Sequence, residues 1–136
     1  MPSSERRRGA FAECAVARET NLAHKPKTVS FVDAAAVPTA GLTALQGLRD
    51  HGQLASGQRV LVIGASGGVG VYTVQIAKSL DARVTAMCST RNTELVKSIR
   101  ADDVIDYRAQ DCVHAAGCLS NKEGEVSSSP DREVSF

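Results

Sequence analysis

Strong net charge is missing from this sequence: 16 Lys and Arg stand against 15 Asp and Glu, for a formal charge of +1. That balance creates no field to recruit nucleic acid or an anionic membrane. The one basic run, Arg6-Arg7-Arg8, sits beside Glu5 and reads as a solvated end. No apolar stretch reaches membrane-spanning length, and residues 1–9 are polar rather than signal-like, so the cytoplasm is the expected location. Cysteines number four, Cys14, Cys88, Cys112 and Cys118, and none forms a C-x-x-C pair. Cys112-x-His114-x3-Cys118 has faint metal-ligand spacing, but the fourth ligand that zinc wants is not evident. No metal is expected, and the thiols read as reduced. Ser-His-Asp, Cys-His and paired-carboxylate constellations are also missing. His24, His51 and His114 fall in loop or helix-end settings and read as surface residues. No catalytic residue is assigned.

At 136 residues with 43% apolar content, the chain is one domain's worth, or a piece of a larger protein. Residues 9–26 show mixed alternation ending at Pro26, which predicts one strand and a turn. Asp33 is placed to cap a short Ala-rich helical turn that stops near Pro38. Thr39 then caps a second helix, with Leu42, Leu45 and Leu48 as its buried stripe and Gly52 as its stop. From residue 58 strands and helices alternate. Residues 59–63, RVLVI, read as a strand buried on both faces. A helix over 69–80, a strand over 83–88, a helix over 91–99 and a short strand over 103–106 follow. This β-α-β-α-β order with short connections implies parallel strands and right-handed crossovers. The predicted fold is α/β, a partial Rossmann sheet: one mononucleotide-binding half with strand order 3-2-1. Residues 111–136, rich in Ser, Glu and Gly, read as mostly disordered.

Gly64, Gly67 and Gly70 recur every three residues directly after the first strand. Such a turn needs small residues because it is tight, because backbone must approach a pyrophosphate, and because helix and sheet pack closely. Gly68, Val69 and Gly70 then offer helix N-terminal amides to the phosphates, with Ser66 as a hydroxyl partner. The position after a strand, opening a helix, with a second strand following, is the context that the dinucleotide fingerprint demands. A nucleoside-triphosphate loop is disfavoured, since no Gly-Lys-Ser/Thr ending is present. At the end of the second strand, NAD would want a carboxylate for its ribose 2′-hydroxyl. The sequence there is CSTRN, with no acid until Glu94. Ser89, Thr90 and Arg91 instead offer hydroxyls and a guanidinium to a 2′-phosphate, which favours NADP.

The stretches AAAVPTAGLTALQGL, VLVIGASGGVGVYTVQIAK and ADDVIDYR together resemble the zinc-free quinone oxidoreductase branch of the medium-chain dehydrogenase/reductase superfamily. The match covers about residues 9–110, and GAFAECAVA is similar to a strand of the family's GroES-like catalytic lobe, with Cys14 where tyrosine is usual. The resemblance implies reduction of quinones or enones by hydride from NADPH. It places Gly67, Gly68, Val69 and Gly70 at the pyrophosphate and Ser89 in the 2′-phosphate pocket, with Arg91 standing in for a basic residue. Tyr107 would lie against the adenosine-phosphate end and Thr43 near the nicotinamide. The implied organisation is a lobe remnant over 1–30, linking helices over 31–54, the half Rossmann domain over 55–110 and a tail over 111–136. The Gly-His-Glu segment and four-cysteine lobe of zinc-binding relatives are lacking.

Short-chain dehydrogenases share the Gly-x3-Gly-x-Gly spacing that Gly64, Gly68 and Gly70 satisfy, but their Tyr-x3-Lys pair is absent. Against the resembled family the chain lacks most of the catalytic lobe and the later strands, so it reads as a fragment holding the adenosine side alone. Residues 60–63 of the first strand would then be an unpaired edge, open to self-association. Three classes follow: an NADPH-dependent oxidoreductase acting on a small quinone or enone, a binding-only half-domain, and an inactive or oligomer-dependent piece.

Overall fold

The structure is a computed structural model that describes residues 12–109 and 134–135. The chain divides into two units, Met1–Ala34 and Ala35–Phe136. In the first, the strand expected within residues 9–26 is not formed by its described part. Residues 14–18 belong to no ladder or helix, Val16 is 81% exposed, and a single 3-10 turn follows at Glu19–Asn21. A lone strand leaves its N–H and C=O groups to water, and no described strand pairs with this one.

Helix α1 spans Phe31–Gln46 without a break at Pro38, where two helices were expected. Its start is set by Ser30, not Asp33. The Ser30 hydroxyl accepts the Asp33 amide at 3.1 Å and donates to the Asp33 carboxylate at 2.6 Å. The Ser30 carbonyl takes the Ala34 amide at 3.0 Å. The Ser30 hydroxyl thus caps the helix, and the carboxylate suits its positive end. Thr39 is therefore helix interior, and the Thr43 hydroxyl donates to its carbonyl at 2.7 Å. The buried stripe is also shifted from the expected leucines. Gly41, Ala44, Gly47 and Leu48 are buried, whereas Leu42 is 55% exposed and Leu45 only partly covered. Positions three apart drift about 60° per step around a helix, so 41, 44 and 48 share a face better than 42, 45 and 48. A π-helical turn at Gly47–His51 ends the run, closed by the Gly52 amide on the Gly47 carbonyl at 2.8 Å. Gly52 stays in the right-handed region; the left-handed residue is Gln53, at φ 49°.

Strand β1 (Arg59–Ile63), helix α2 (Gly68–Ser79), strand β2 (Arg83–Cys88), helix α3 (Thr93–Ser98) and strand β3 (Asp103–Asp106) follow in the predicted order. A 3-10 turn at Thr90–Asn92 leads into α3. β1 pairs parallel with β2, Val60 opposite Val84 and Val62 opposite Ala86, and β2 pairs parallel with β3, Ala86 opposite Val104. The fold is α/β, with the β3-β2-β1 order of a Rossmann half.

Two expectations about β1 need correcting. Only one of its faces is deeply buried: Val60 and Val62 join Val84, Ala86, Cys88, Val74, Ala77 and Val96 in the core, while Ile63 is 52% exposed. Side chains alternate across a strand, and α2 and α3 supply the cover for one face only. Nor is β1 an edge along its whole length. Strand β4 (Val134–Ser135) pairs parallel with it, Val60 opposite Val134 and Leu61 opposite Ser135. The order β3-β2-β1-β4 puts that strand where the doubly wound order has its fourth. Long crossovers are what parallel neighbours require, and the stretch after β3 is long enough. The edge offered for self-association shrinks to Val62 and Ile63, which β4 does not reach. The rest of the predicted disordered tail over 111–133 lies outside the described residues, as do Cys112, His114 and Cys118.

An ionic tie links the end of α2 to the starts of β2 and β3. Lys78 on α2 donates to both oxygens of Asp102 at 2.9 and 2.8 Å and to the Ala82 carbonyl at 3.1 Å. Asp102 in turn accepts the Val84 amide of β2 at 2.6 Å. Burial pushes the Asp102 carboxyl up. The Lys78 hydrogen bond, the Val84 amide and the charges of Lys78 and Arg83 together outweigh it and hold the group below its ordinary value.

Candidate functional site

The carboxyl end of β1 turns sharply at Gly64, whose φ of +71° is the left-handed conformation that disfavours any Cβ. The Ala65 amide bonds the Met87 carbonyl of β2 at 3.0 Å, and the Gly67 amide returns to the Gly64 carbonyl at 2.8 Å. Helix α2 then starts, with Gly67 as an N-cap that makes no side-chain cap bond. The first amide to find a helical partner is Val71, on the Gly67 carbonyl at 3.0 Å. The amides of Gly68, Val69 and Gly70 therefore have no acceptor among the described residues, and they carry the positive end of the helix dipole. Gly70 is small for a different reason than Gly64. A Cβ there would lie 2.3 Å from the Gly64 carbonyl oxygen and 2.8 Å from the Ala65 Cα. Helix and strand approach backbone to backbone.

Beside this turn lies the end of β2. Ser89 is buried, at 7% exposure. The Asn92 side-chain amide donates to the Ser66 hydroxyl at 2.9 Å and to the Ser89 hydroxyl at 3.3 Å, joining the glycine turn to the end of the second strand. Asn92 was not singled out from sequence. An asparagine in a turn after a strand is common, and only its position opposite Ser66 marks it. Thr90 and Arg91 are exposed. Arg91 makes no ion pair among the described residues, which leaves its guanidinium available. At the end of β3, Asp106 accepts the Arg108 amide at 2.9 Å, and its carboxyl is held below its ordinary value, chiefly by the neighbouring Thr90 hydroxyl and then by that amide. An acid thus stands at the carboxyl end of β3, opposite Cys88 of β2.

Ser66, Gly67, Gly68, Val69, Gly70 and Ser89 are accordingly brought together around the end of β1, with Thr90 and Arg91 at the margin. Tyr107 follows β3, with its amide on the Cys88 carbonyl at 3.2 Å and its residue 47% exposed. Thr43 stands apart on α1: its hydroxyl bonds the Thr39 carbonyl, and no hydrogen bond ties it to the glycine turn. Among the described residues no group of three or more His, Cys, Asp or Glu is placed to hold a metal ion. Among them, too, no helix is long and apolar enough to cross a membrane.

A parallel half-sheet with a left-handed glycine at the end of β1 and a second glycine under its carbonyl defines a Rossmann-type segment, and comparison with known proteins shows what it is similar to. No family model matches. The chain is 42% identical over 107 residues to the human mitochondrial protein NAD(P)H oxidoreductase RTN4IP1, covering 76% of this chain and 27% of that one. It is 50% identical over 105 residues to the chloroplast envelope quinone oxidoreductase homolog of Arabidopsis thaliana, covering 74% of this chain and 32% of the relative. Among solved structures, a quinone oxidoreductase from Pseudomonas syringae superposes with a TM-score of 0.70 at 34% identity, over 76% of this chain and 32% of that one. An NAD-dependent alcohol dehydrogenase gives 0.78 at 38% identity, over 85% and 34%. The homologues of this chain are quinone oxidoreductases and related enzymes of the medium-chain dehydrogenase/reductase superfamily, and the chain spans about a third or less of the curated relatives it matches.

Proposed function

We propose that this chain carries the adenosine-phosphate half of an NADP site in a protein of the quinone or enone reductase type. The observation that supports it most is the set of free amides at Gly68, Val69 and Gly70, aimed from a helix that Gly70 lets press against the Gly64 turn. That is a cradle for a pyrophosphate. In this reading Gly64 makes the turn, Ser66 adds a hydroxyl, and Ser89 and Arg91 meet the 2′-phosphate. Tyr107 borders the adenosine end and Thr43 the nicotinamide side. Thr90, exposed at the margin, offers its hydroxyl to the same phosphate. When bound, the nicotinamide would supply hydride to an electrophilic quinone or enone carbon. What this chain supplies is binding and orientation of the phosphates.

Residues 1–30 are assigned to a catalytic-lobe remnant, 31–54 to linking helices and 55–110 to the half Rossmann domain, in the numbering of this chain. A cytoplasmic location belongs to this reading, although the relatives compared are named for mitochondria and chloroplasts. Titration of the full chain with 2′,5′-ADP tests the half-site; no heat or shift at millimolar ligand would sink it. Following NADPH oxidation with a simple quinone separates an enzyme from a binding-only half-domain. We expect no turnover by this chain alone, because a nicotinamide slot also needs the second half of the sheet.

A further inference from the structure

From the bonds that join Ser66, Asn92 and Ser89 we infer that Asn92 is a positioning residue: it makes both serine hydroxyls donors and so tunes the end of β1 to a phosphate oxygen. The inference rests on the half-site reading above.

A serine hydroxyl has one proton to give and two lone pairs to receive with. An asparagine NH2 group has two protons and accepts nothing. Here that group donates to Ser66 at 2.9 Å and to Ser89 at 3.3 Å. Each oxygen that accepts from Asn92 must turn its own proton away from the amide. Both protons are then free for an acceptor that enters beside Gly68, Val69 and Gly70, whose amides are unpartnered. Without Asn92 each hydroxyl could rotate and present a lone pair, which repels a phosphate oxygen. Two hydroxyls set as donors give this end of β1 a polarity that a count of its hydroxyls does not reveal.

Ser66 and Ser89 lie in different connections, after β1 and after β2. Asn92 also holds those connections together, so a purely structural role must be separated from an orienting one. The experiment is calorimetric titration of the full chain with 2′,5′-ADP and, in parallel, with uncharged adenosine. The proteins are the parent, Asn92→Ala, the pair Ser66→Ala with Ser89→Ala, and all three changes combined. We expect Asn92→Ala to weaken 2′,5′-ADP by about tenfold, the scale of one or two neutral hydrogen bonds, and to leave adenosine nearly unchanged. The combined variant should bind no worse than the serine pair. Equal losses for adenosine, or losses that multiply in the combined variant, would overturn the orienting role. If the parent itself fails to bind 2′,5′-ADP, the half-site reading falls instead. The Asn92 side-chain NH2 protons then still decide the geometry by NMR: protected from exchange if both serines accept them, freely exchanging if not.

Discussion

Replacing Gly70 by alanine tests whether close approach, rather than loop flexibility, is the reason for glycine in this turn. Helix propensity alone favours the change, by about 1 kcal/mol. The local geometry opposes it: the new Cβ would sit 2.3 Å from the Gly64 oxygen and 2.9 Å from the Ala65 carbonyl carbon, where real Cβ atoms stay beyond 3.0 Å. Both obstacles are backbone, so no side chain can swing aside. The start of α2 must retreat from β1 by at least about 0.7 Å. Such a shift loosens Val74 and Ala77, which are fully buried against the strands. Overpacking of this kind costs roughly 1–3 kcal/mol, and the upper end applies when backbone meets backbone. The net loss should be about 1–2 kcal/mol, a fall in Tm of about 5–15 °C for a domain this small. Gly68→Ala is the matched control, because nothing lies within 4 Å of a Cβ there. It should leave Tm unchanged or raise it slightly. Thermal unfolding followed by circular dichroism gives both numbers in one series. If Gly70→Ala were as stable as Gly68→Ala, the packing argument for the third glycine would be wrong.

Asp102→Asn should lower stability by about 1 kcal/mol, the size of a part-exposed, multiply bonded ion pair. Because the folded carboxyl lies below its ordinary 3.8, the contribution of Asp102 is present above that pH and disappears as pH falls through the folded pKa. Tm measured from neutral pH downward should drop less in the variant than in the parent; parallel curves would rule the linkage out. Arg91→Ala should weaken NADP by about tenfold and NAD hardly at all, as loss of a charge-assisted phosphate bond requires; equal losses would remove Arg91 from the pocket. Asp106→Asn should tighten 2′,5′-ADP by about two- to threefold by removing a like charge near the phosphate, and weaker binding would show that Asp106 instead holds Thr90 in a useful pose.

The Rossmann half was legible because its signals are local and mutually consistent. RVLVI sits between turn residues, the glycines are spaced to open a helix, and β2 and β3 fall at Arg83–Cys88 and Asp103–Asp106 as read. Misreadings arose where a local rule met a stronger neighbour. Pro38 reads as a helix end because it removes an amide donor. Yet α1 continues through it, started by Ser30 and Asp33 with helical alanines on both sides. The leucine spacing suggested a stripe, but small residues at 41 and 44 form the buried one. The candidate site was legible where it depends on backbone, at Gly64 to Gly70. It was illegible where it depends on side chains meeting across connections. Asn92 is 26 positions from Ser66, and no periodicity encodes their meeting.

The sheet order also has a consequence for how the molecule assembles in time. Val60 pairs with Val84 on one side and with Val134 on the other. Closing the second contact encloses about three times as much chain as the first. Loop-closure entropy makes it costlier by about 1 kcal/mol before any rung is formed, and among the described residues two pairs reward it. The strands of the glycine-turn half therefore nucleate among themselves, and the Val134–Ser135 strand joins afterwards as the last rung. In a hydrogen-exchange experiment, ladder amides shared by β1 and β2 should outlast those shared by β1 and β4. The glycine turn would thus be built, and its amides already aimed, before β4 joins the sheet.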